Sequence, residues 1–308
     1  MKIRNILILS GLFVNIANAA FPTTKELCST YKFPDGTPAS SVVGEAALVQ
    51  VYNSSRPLFL PKGWQGERFV CPFHIKWWGN SSLDGNLVAF NSQTRTILVA
   101  FEGTDSVSAA LGDAEFSLHP AAEAVGGYEA GHLGSFFKNS YDTKLHRGFQ
   151  KIALSGQKSA FDIVNKFTGG NNTDVKFIVT GHSLGGALAS LFACALFDFL
   201  ELNHNYDSRI SVITFGAPKF CNANASQFIR NKLYTVKSIV RAVNVAEGFF
   251  WDDQDHITDI PPSTMGYHHV DTIKLKLITR SHWSNAAHDA KVYYNNFLGT
   301  RAKHKWSD

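Results

Sequence analysis

The segment that most constrains this chain is Gly181-His182-Ser183-Leu184-Gly185-Gly186, set between the apolar run Val175–Thr180 and a helical pattern that starts at Leu184. Val175, Phe177, Ile178 and Val179 read as a buried strand, while Leu184, Ala187, Leu188, Leu191, Ala195 and Phe199 recur at helical spacing. In that setting Gly-x-Ser-x-Gly describes a sharp strand-to-helix turn. Such a turn holds a serine hydroxyl where a base can take its proton, and small residues two positions to either side let the backbone bend without Cβ clashes. The bare pattern occurs by chance in about one chain of this length in ten, so its weight comes from the flanks. Without them Ser183 would be an incidental serine at a glycine-rich helix start; with them it is the candidate nucleophile.

Strand and helix patterns alternate on either side of this turn. Leu87–Phe90 and Ile97–Phe101, separated by the polar turn Asn91–Arg95, have the spacing of a hairpin. The second strand runs into Glu102-Gly103-Thr104-Asp105-Ser106. His146-Arg147-Gly148-Phe149 opens a helix whose apolar face carries Phe149, Ile152, Ala153, Ala160, Ile163, Val164 and Phe167, and Gly169-Gly170 ends it. Downstream come a buried strand Ile210–Phe215, closed by Gly216-Ala217-Pro218, a helix around Ala225–Lys232 and a strand Ser238–Val243. This alternation predicts an α/β fold, a mostly parallel central sheet with helices on both faces and catalytic groups at the carboxyl ends of its strands. Two stretches lack such patterning. Phe21–Gly85 reads as covering loops around one helix near Ser41–Tyr52. Val107–Lys144, rich in Ala and Gly with scattered aromatics, reads as an irregular surface segment or a lid.

The 308 residues, 44% of them hydrophobic, are enough for one large core, and a single domain over residues 20–308 is expected. A net charge of +4, to which Lys2 and Arg4 contribute, leaves no basic stripe, so no nucleic-acid partner is expected. Lys2 and Arg4, the apolar segment Ile6–Val14 and the small residues Ala17-Asn18-Ala19-Ala20 together describe a secretory signal peptide over residues 1–19. An uncleaved anchor would need about 20 apolar residues, and no later segment could span a bilayer, so the expected protein is secreted with no stable membrane span. Export permits disulfides, and four cysteines allow three full pairings. Cys194 falls on the apolar face of the helix after Ser183 and reads as a buried thiol, which leaves Cys28–Cys71 as the expected pair. Asn-x-Ser/Thr sequons stand at Asn53, Asn80, Asn171 and Asn224. There is no His-Glu-x-x-His or Cys-x-x-Cys sequence and His268-His269 are adjacent, so neither a metal nor a cofactor is expected.

A serine nucleophile needs a base within hydrogen-bond reach and an acid that orients the base. Downstream of Val243 lies an acidic loop with Asp252, Asp253, Asp255 and Asp259, and the histidines that follow are His256, His268, His269, His282, His288 and His304. Spacing alone does not choose among them.

Four spaced motifs narrow the choice. Gly181–Ala189, Phe101-Glu102-Gly103-Thr104, His146-Arg147-Gly148-Phe149 and Phe215-Gly216-Ala217-Pro218-Lys219 together resemble the fungal-type class 3 lipases of the α/β-hydrolase fold, over roughly Leu87–Leu298. The resemblance implies a serine esterase acting on lipid or other carboxylic esters at a transient lipid interface, without a cofactor. It implies an oxyanion hole from the backbone N–H groups of Thr104 and Leu184, with the Thr104 hydroxyl assisting. Asp255, followed by Ile260-Pro261-Pro262, Gly266-Tyr267 and His269, matches the position of the acid. About eight extra residues, Ala246–Asp253, precede it, and a register shift there would make Asp253 or Asp259 the acid. His288, ahead of Tyr293, matches the base, with His282 as runner-up; His182 reads as packing beside the turn. A lid would follow the oxyanion residue, over Ser106–Phe116. Its Ala109-Ala110 leaves triacylglycerol hydrolysis beside phospholipase A1, soluble-ester esterase and acyl-transfer alternatives. A catalytically silent lipid-binding protein is the alternative from another class.

Overall fold

The computed structural model describes residues 22–75, 79–104, 117–202, 209–233, 239–246, 254–271, 273–279, 287–299 and 304–307. The signal segment, the lid over Ser106–Phe116, Asp252, Asp253 and His282 lie outside the described residues.

An eight-stranded sheet forms the frame. In chain order its strands are β1 (Trp64–Ile75), β2 (Gly79–Asn91), β3 (Thr96–Phe101), β6 (Lys176–His182), β7 (Ile210–Phe215), β8 (Ile239–Ala246), β9 (Ile273–Thr279) and β10 (His304–Ser307), and they neighbour one another in that order. The five central strands, β3 and β6 to β9, run parallel, whereas β1 and β2 at one edge and β10 at the other are antiparallel. A small ribbon of β4 (Leu118–Pro120) and β5 (Lys144–His146) stands apart.

Strand alternation sorts the core into two layers. On β3, Ile97, Val99 and Phe101 belong to one hydrophobic cluster, while Leu98 and Ala100 belong to the other, because successive side chains on a strand face opposite sides. The first layer is covered by α3 (Gly131–Phe137), α4 (Arg147–Thr168), α5 (Leu184–Phe199) and α6 (Ala223–Leu233). The second is covered by α1 (Thr24–Ser29), α2 (Ala39–Leu48) and α7 (Ala290–Leu298). The architecture is the predicted α/β sandwich. α4 ends at Gly169, whose φ of 65° is left-handed backbone suited to glycine.

Three expectations need correction. The stretch over Phe21–Gly85 is not merely covering loops around its expected helix, α2: it also supplies α1 and the edge strand β1, whose Phe69 and Cys71 enter the first layer. Of the stretch over Val107–Lys144, residues 117–144 run over the surface but are anchored in the core by a short helix. Leu133, Phe136 and Phe137 are buried, and Phe136 and Phe137 both contact Phe228 of α6; burying each phenyl ring contributes about 1.5–3 kcal/mol. The Cys28–Cys71 disulfide is absent and all four thiols are free. Cys28 lies in the layer under α1 and α2 and Cys71 in the layer under α4, so the sheet itself separates them. A disulfide requires Cα atoms within about 7 Å.

Candidate active site

The turn at Ser183 is built by steric exclusion. Ser183 has φ 57° and ψ −129°, a conformation that costs a non-glycine residue energy and is held by its surroundings. Its N–H donates to the Phe215 carbonyl (2.8 Å) and its carbonyl accepts from Gly186 N–H (2.9 Å). A Cβ on Gly181 would meet the Gly185 carbonyl oxygen at 2.3 Å, and one on Gly185 would meet the Phe101 carbonyl oxygen at 2.2 Å. The small residues the turn demands are thus set by backbone contacts that no rotamer change relieves. β6 delivers the serine to the carboxyl edge of the sheet and α5 carries the chain away, so Leu184 N–H lies in the first turn of a helix, where N–H groups lack intrahelical partners and face anions favourably.

Residues far apart in sequence converge on this point. Ser183 Oγ lies 2.9 Å from His288 Nε2, and His288 Nδ1 lies 2.9 Å from both carboxylate oxygens of Asp255. Asp255 follows β8, is fully buried and caps a 3-10 turn, His256–Asp259, by accepting from Ile257 N–H (3.0 Å). The Tyr293 hydroxyl also donates to it, at 2.5 Å. Burial, and then the neighbouring Asp255 carboxylate, push the Tyr293 phenol well above its ordinary range, so it remains a neutral donor. With an imidazole N–H, a phenol and a backbone N–H around it, the carboxylate is held as an acceptor of fixed orientation. Asp259, the alternative acid, is exposed; its nearest side-chain partner is Gln254, at 3.5 Å.

Asn244, on β8, joins the Asp255 and His288 segments. Its side-chain amide donates to the Ala287 carbonyl (2.7 Å), its carbonyl accepts from Asp255 N–H (3.2 Å), and its N–H donates to the Tyr293 hydroxyl (3.1 Å). Asn296 supports it in turn. Sequence reasoning identified neither Asn244 nor Tyr293 as part of the site. The spacing of an aromatic residue after His288 was visible, but its hydroxyl's partner depends on how α7 packs against β8.

Thr104 follows β3, in the loop that approaches Ser183 at Gly103. Gly103 is pressed so close that a Cβ there would lie 2.7 Å from the His182 carbonyl oxygen and 3.1 Å from Ser183 Cβ. Glu102 anchors this loop by accepting from Gly85 N–H (2.8 Å), and its own N–H donates to Asn86 (2.9 Å). The Thr104 hydroxyl is buried and has no hydrogen-bond partner among the described residues. A buried unsatisfied hydroxyl is costly and calls for a ligand partner or a functional explanation. Thr104 lines a cleft of about 520 Å³ together with Leu48, Val49, Tyr52, His182 and His288. Among the described residues no group of three or more His, Cys, Asp and Glu side chains could hold a metal ion.

Three histidines, His146 and His182 buried and His269 half-buried, resist protonation. Burial lowers His146 to about 4; burial and then nearby Arg241 lower His269 to about 3; burial and then His288 hold His182 well below its ordinary value. In the unfolded chain these rings take up protons as pH falls through about 6.5, while in the folded chain they do not until lower pH. The unfolded state therefore binds more protons in that window, and stability falls as pH drops from about 6.5 toward 4, by about 1.4 kcal/mol per pH unit for each fully buried ring. Urea unfolding midpoints between pH 7.5 and 4.5 check this. A midpoint that stays level across the range would show that these rings do not resist protonation in the fold.

Comparison with known proteins places this geometry in a family. Residues 98–262, more than half of the 308-residue chain, match the family model for Lipase (class 3). The chain is 32% identical over 161 residues to triacylglycerol lipase OBL1 of Ricinus communis, a match covering 44% of this chain and 30% of that protein. It is 26% identical over 196 residues to the secreted mono- and diacylglycerol lipase MDL3 of Malassezia globosa, covering 62% and 55% respectively. The chain thus spans 30% and 55% of these relatives' own lengths. In fold it is similar to the crystal structure of the lipase from Rhizopus microsporus var. chinensis, with a TM-score of 0.54 at 19% identity, covering 81% of this chain and 80% of that one.

Proposed function

We propose that this chain, which belongs to the class 3 lipase family, is a secreted serine hydrolase of lipid carboxylic esters, working through Ser183, His288 and Asp255 as a single 20–308 domain after loss of residues 1–19. The observation that carries the reading is the unbroken hydrogen-bond line from Ser183 Oγ through His288 to the buried Asp255 carboxylate. The named activities of the Ricinus and Malassezia relatives support a glyceride ester as substrate, and the Malassezia protein supports secretion. No described helix is long and apolar enough to cross a membrane.

The steps follow from the geometry. His288 Nε2 takes the Ser183 proton as Oγ attacks the ester carbonyl, and Asp255 stabilises the resulting imidazolium without itself being protonated. The Thr104 hydroxyl and N–H, with Leu184 N–H, donate to the tetrahedral oxyanion. Collapse breaks the ester C–O bond, and His288 returns its proton to the leaving alcohol. Water then attacks the acyl-serine, passing a proton to His288; as the acyl C–O bond breaks, His288 returns that proton to Ser183 Oγ and the acid is released.

The Thr104→Val variant keeps the backbone donor and the side chain's volume but loses the hydroxyl. Its kcat is expected to fall about 100-fold with KM little changed, since one oxyanion donor is worth about 3 kcal/mol. A kcat within twofold of wild type would remove the hydroxyl from this role. The reading as a whole is tested by fluorophosphonate labelling with peptide mapping, alongside hydrolysis of short- and long-chain glycerides and phospholipid. Covalent label on Ser183 with glyceride turnover is expected; an unlabelled, inactive wild type would leave a silent lipid-binding protein.

A further inference from the structure

We propose that Tyr52 and His182 form a positioning relay for the base, in which the Tyr52 hydroxyl holds the His182 ring in one orientation and His182 in turn holds the main chain of His288. This rests on the reading of His288 as the base. His182 Nε2 lies 2.9 Å from the His288 carbonyl oxygen, which can only accept, so Nε2 carries the hydrogen. His182 Nδ1 lies 2.7 Å from the Tyr52 hydroxyl. In a neutral imidazole with Nε2–H, Nδ1 is the acceptor and the phenol donates to it. His182 is 4% exposed, and burial followed by the adjacent His288 keeps it neutral. The His182 and His288 rings lie tilted against each other, with centroids 4.7 Å apart and planes inclined by 32°.

The need for such a device is visible at the base. His288 stands one residue before the cap of α7, and the carbonyls of consecutive residues are pinned by side chains from different elements: Ala287 by Asn244 and His288 by His182. The imidazole can meet Ser183 only while this short stretch of backbone stays fixed. Tyr52 lies in the 3-10 turn after α2, outside the family-matched residues 98–262. Its hydroxyl occupies space against Gly103, where a Cβ would lie 2.3 Å from it. One phenol therefore touches the oxyanion loop and, through His182, sets the base. The His288 carbonyl fixes the His182 tautomer, and the Tyr52 hydroxyl, donating to Nδ1, fixes the orientation of the ring. Without that hydroxyl nothing at Nδ1 holds the ring plane, His182 can turn away from the His288 carbonyl, and the base would shift. A displacement of about 1 Å at a reacting group can cost about 100-fold in rate.

The test compares Tyr52→Phe, His182→Gln and His182→Leu with wild type. Tyr52→Phe removes only the hydroxyl; kcat is expected to fall about 10-fold or more, KM to move less than about twofold, and the melting temperature to stay nearly constant. Gln at 182 retains an amide donor for the His288 carbonyl, so its kcat should exceed that of Leu by about 10-fold. Equal kcat in the folded Gln and Leu variants, or an unchanged kcat in Tyr52→Phe, would overturn the relay. Nitrogen-15 NMR of the imidazoles provides a readout without ester turnover: His182 should be Nε2–H in wild type, and its Nδ1 resonance should shift in Tyr52→Phe as the phenol's hydrogen bond is lost. An Nδ1–H signal for His182 in wild type would overturn the relay even in an active enzyme. A wild type without turnover or labelling, but with the Nε2–H tautomer, would instead refute the hydrolase reading and leave the hydrogen-bonded relay standing.

Discussion

Ester turnover by Ser183→Ala is expected to fall about 10⁶-fold in kcat, the scale of losing the nucleophile of a coupled serine triad. Ala fits the site: the Cβ stays where it is, and the strained backbone at φ 57° is held by Phe215, Gly186 and the close contacts of Gly181 and Gly185 rather than by the hydroxyl. Fold and cleft should therefore survive, leaving only the acceleration over water that binding and the oxyanion donors provide, about 10³–10⁴-fold. Turnover of a p-nitrophenyl ester, with thermal unfolding as a control, checks the outcome. A variant that kept more than about one hundredth of wild-type kcat would require another nucleophile.

Asp255→Asn is expected to lower kcat about 10⁴-fold through the tautomer of His288. All three groups facing the carboxylate are donors: His288 Nδ1–H, Tyr293 O–H and Ile257 N–H. An amide of the same shape must turn its NH₂ toward one of them. If it faces His288, the ring gives up Nδ1–H, Nε2 takes the hydrogen, and the lone pair that should receive the Ser183 proton is lost. If it faces Tyr293 or Ile257, a buried donor goes unpaired at a cost of about 1–3 kcal/mol. Asp259→Asn is the informative control because that side chain is exposed and away from the line of contacts. A large kcat loss in Asp259→Asn with little in Asp255→Asn would reverse the assignment of the acid.

Much of the frame was legible because buried parallel strands and long amphipathic helices have periodic signatures. Ile210–Phe215 is buried along its whole length, and the face of α4 read from Phe149 to Val164 is the face that packs. The misread stretches are those where periodicity fails for a physical reason. β1 is an edge strand carrying Gln65, Glu67 and Arg68, with Pro72 within it, features tolerated where one side of the ladder is unpaired. In α3, the adjacent Phe136 and Phe137 are both buried because α5 and α6 close on the short helix together; a one-sided helical pattern would never show this. The expected disulfide failed because the number and spacing of cysteines say nothing about which face of a sheet each will occupy.

From the sequence by itself came the elbow around Ser183, the α/β alternation and the order of the motifs, since each depends on neighbours within a few residues. His182 shows the limit of that locality: by position it was a packing residue beside the nucleophile, and only the fold joins it to Tyr52, 130 residues before it, and to His288, 106 residues after. The meeting of Ser183, His288 and Asp255 is of the same kind. Hydrogen bonds between separate loops form only when parallel strands in register bring their carboxyl ends together, a closure that depends on the packing of the whole sheet.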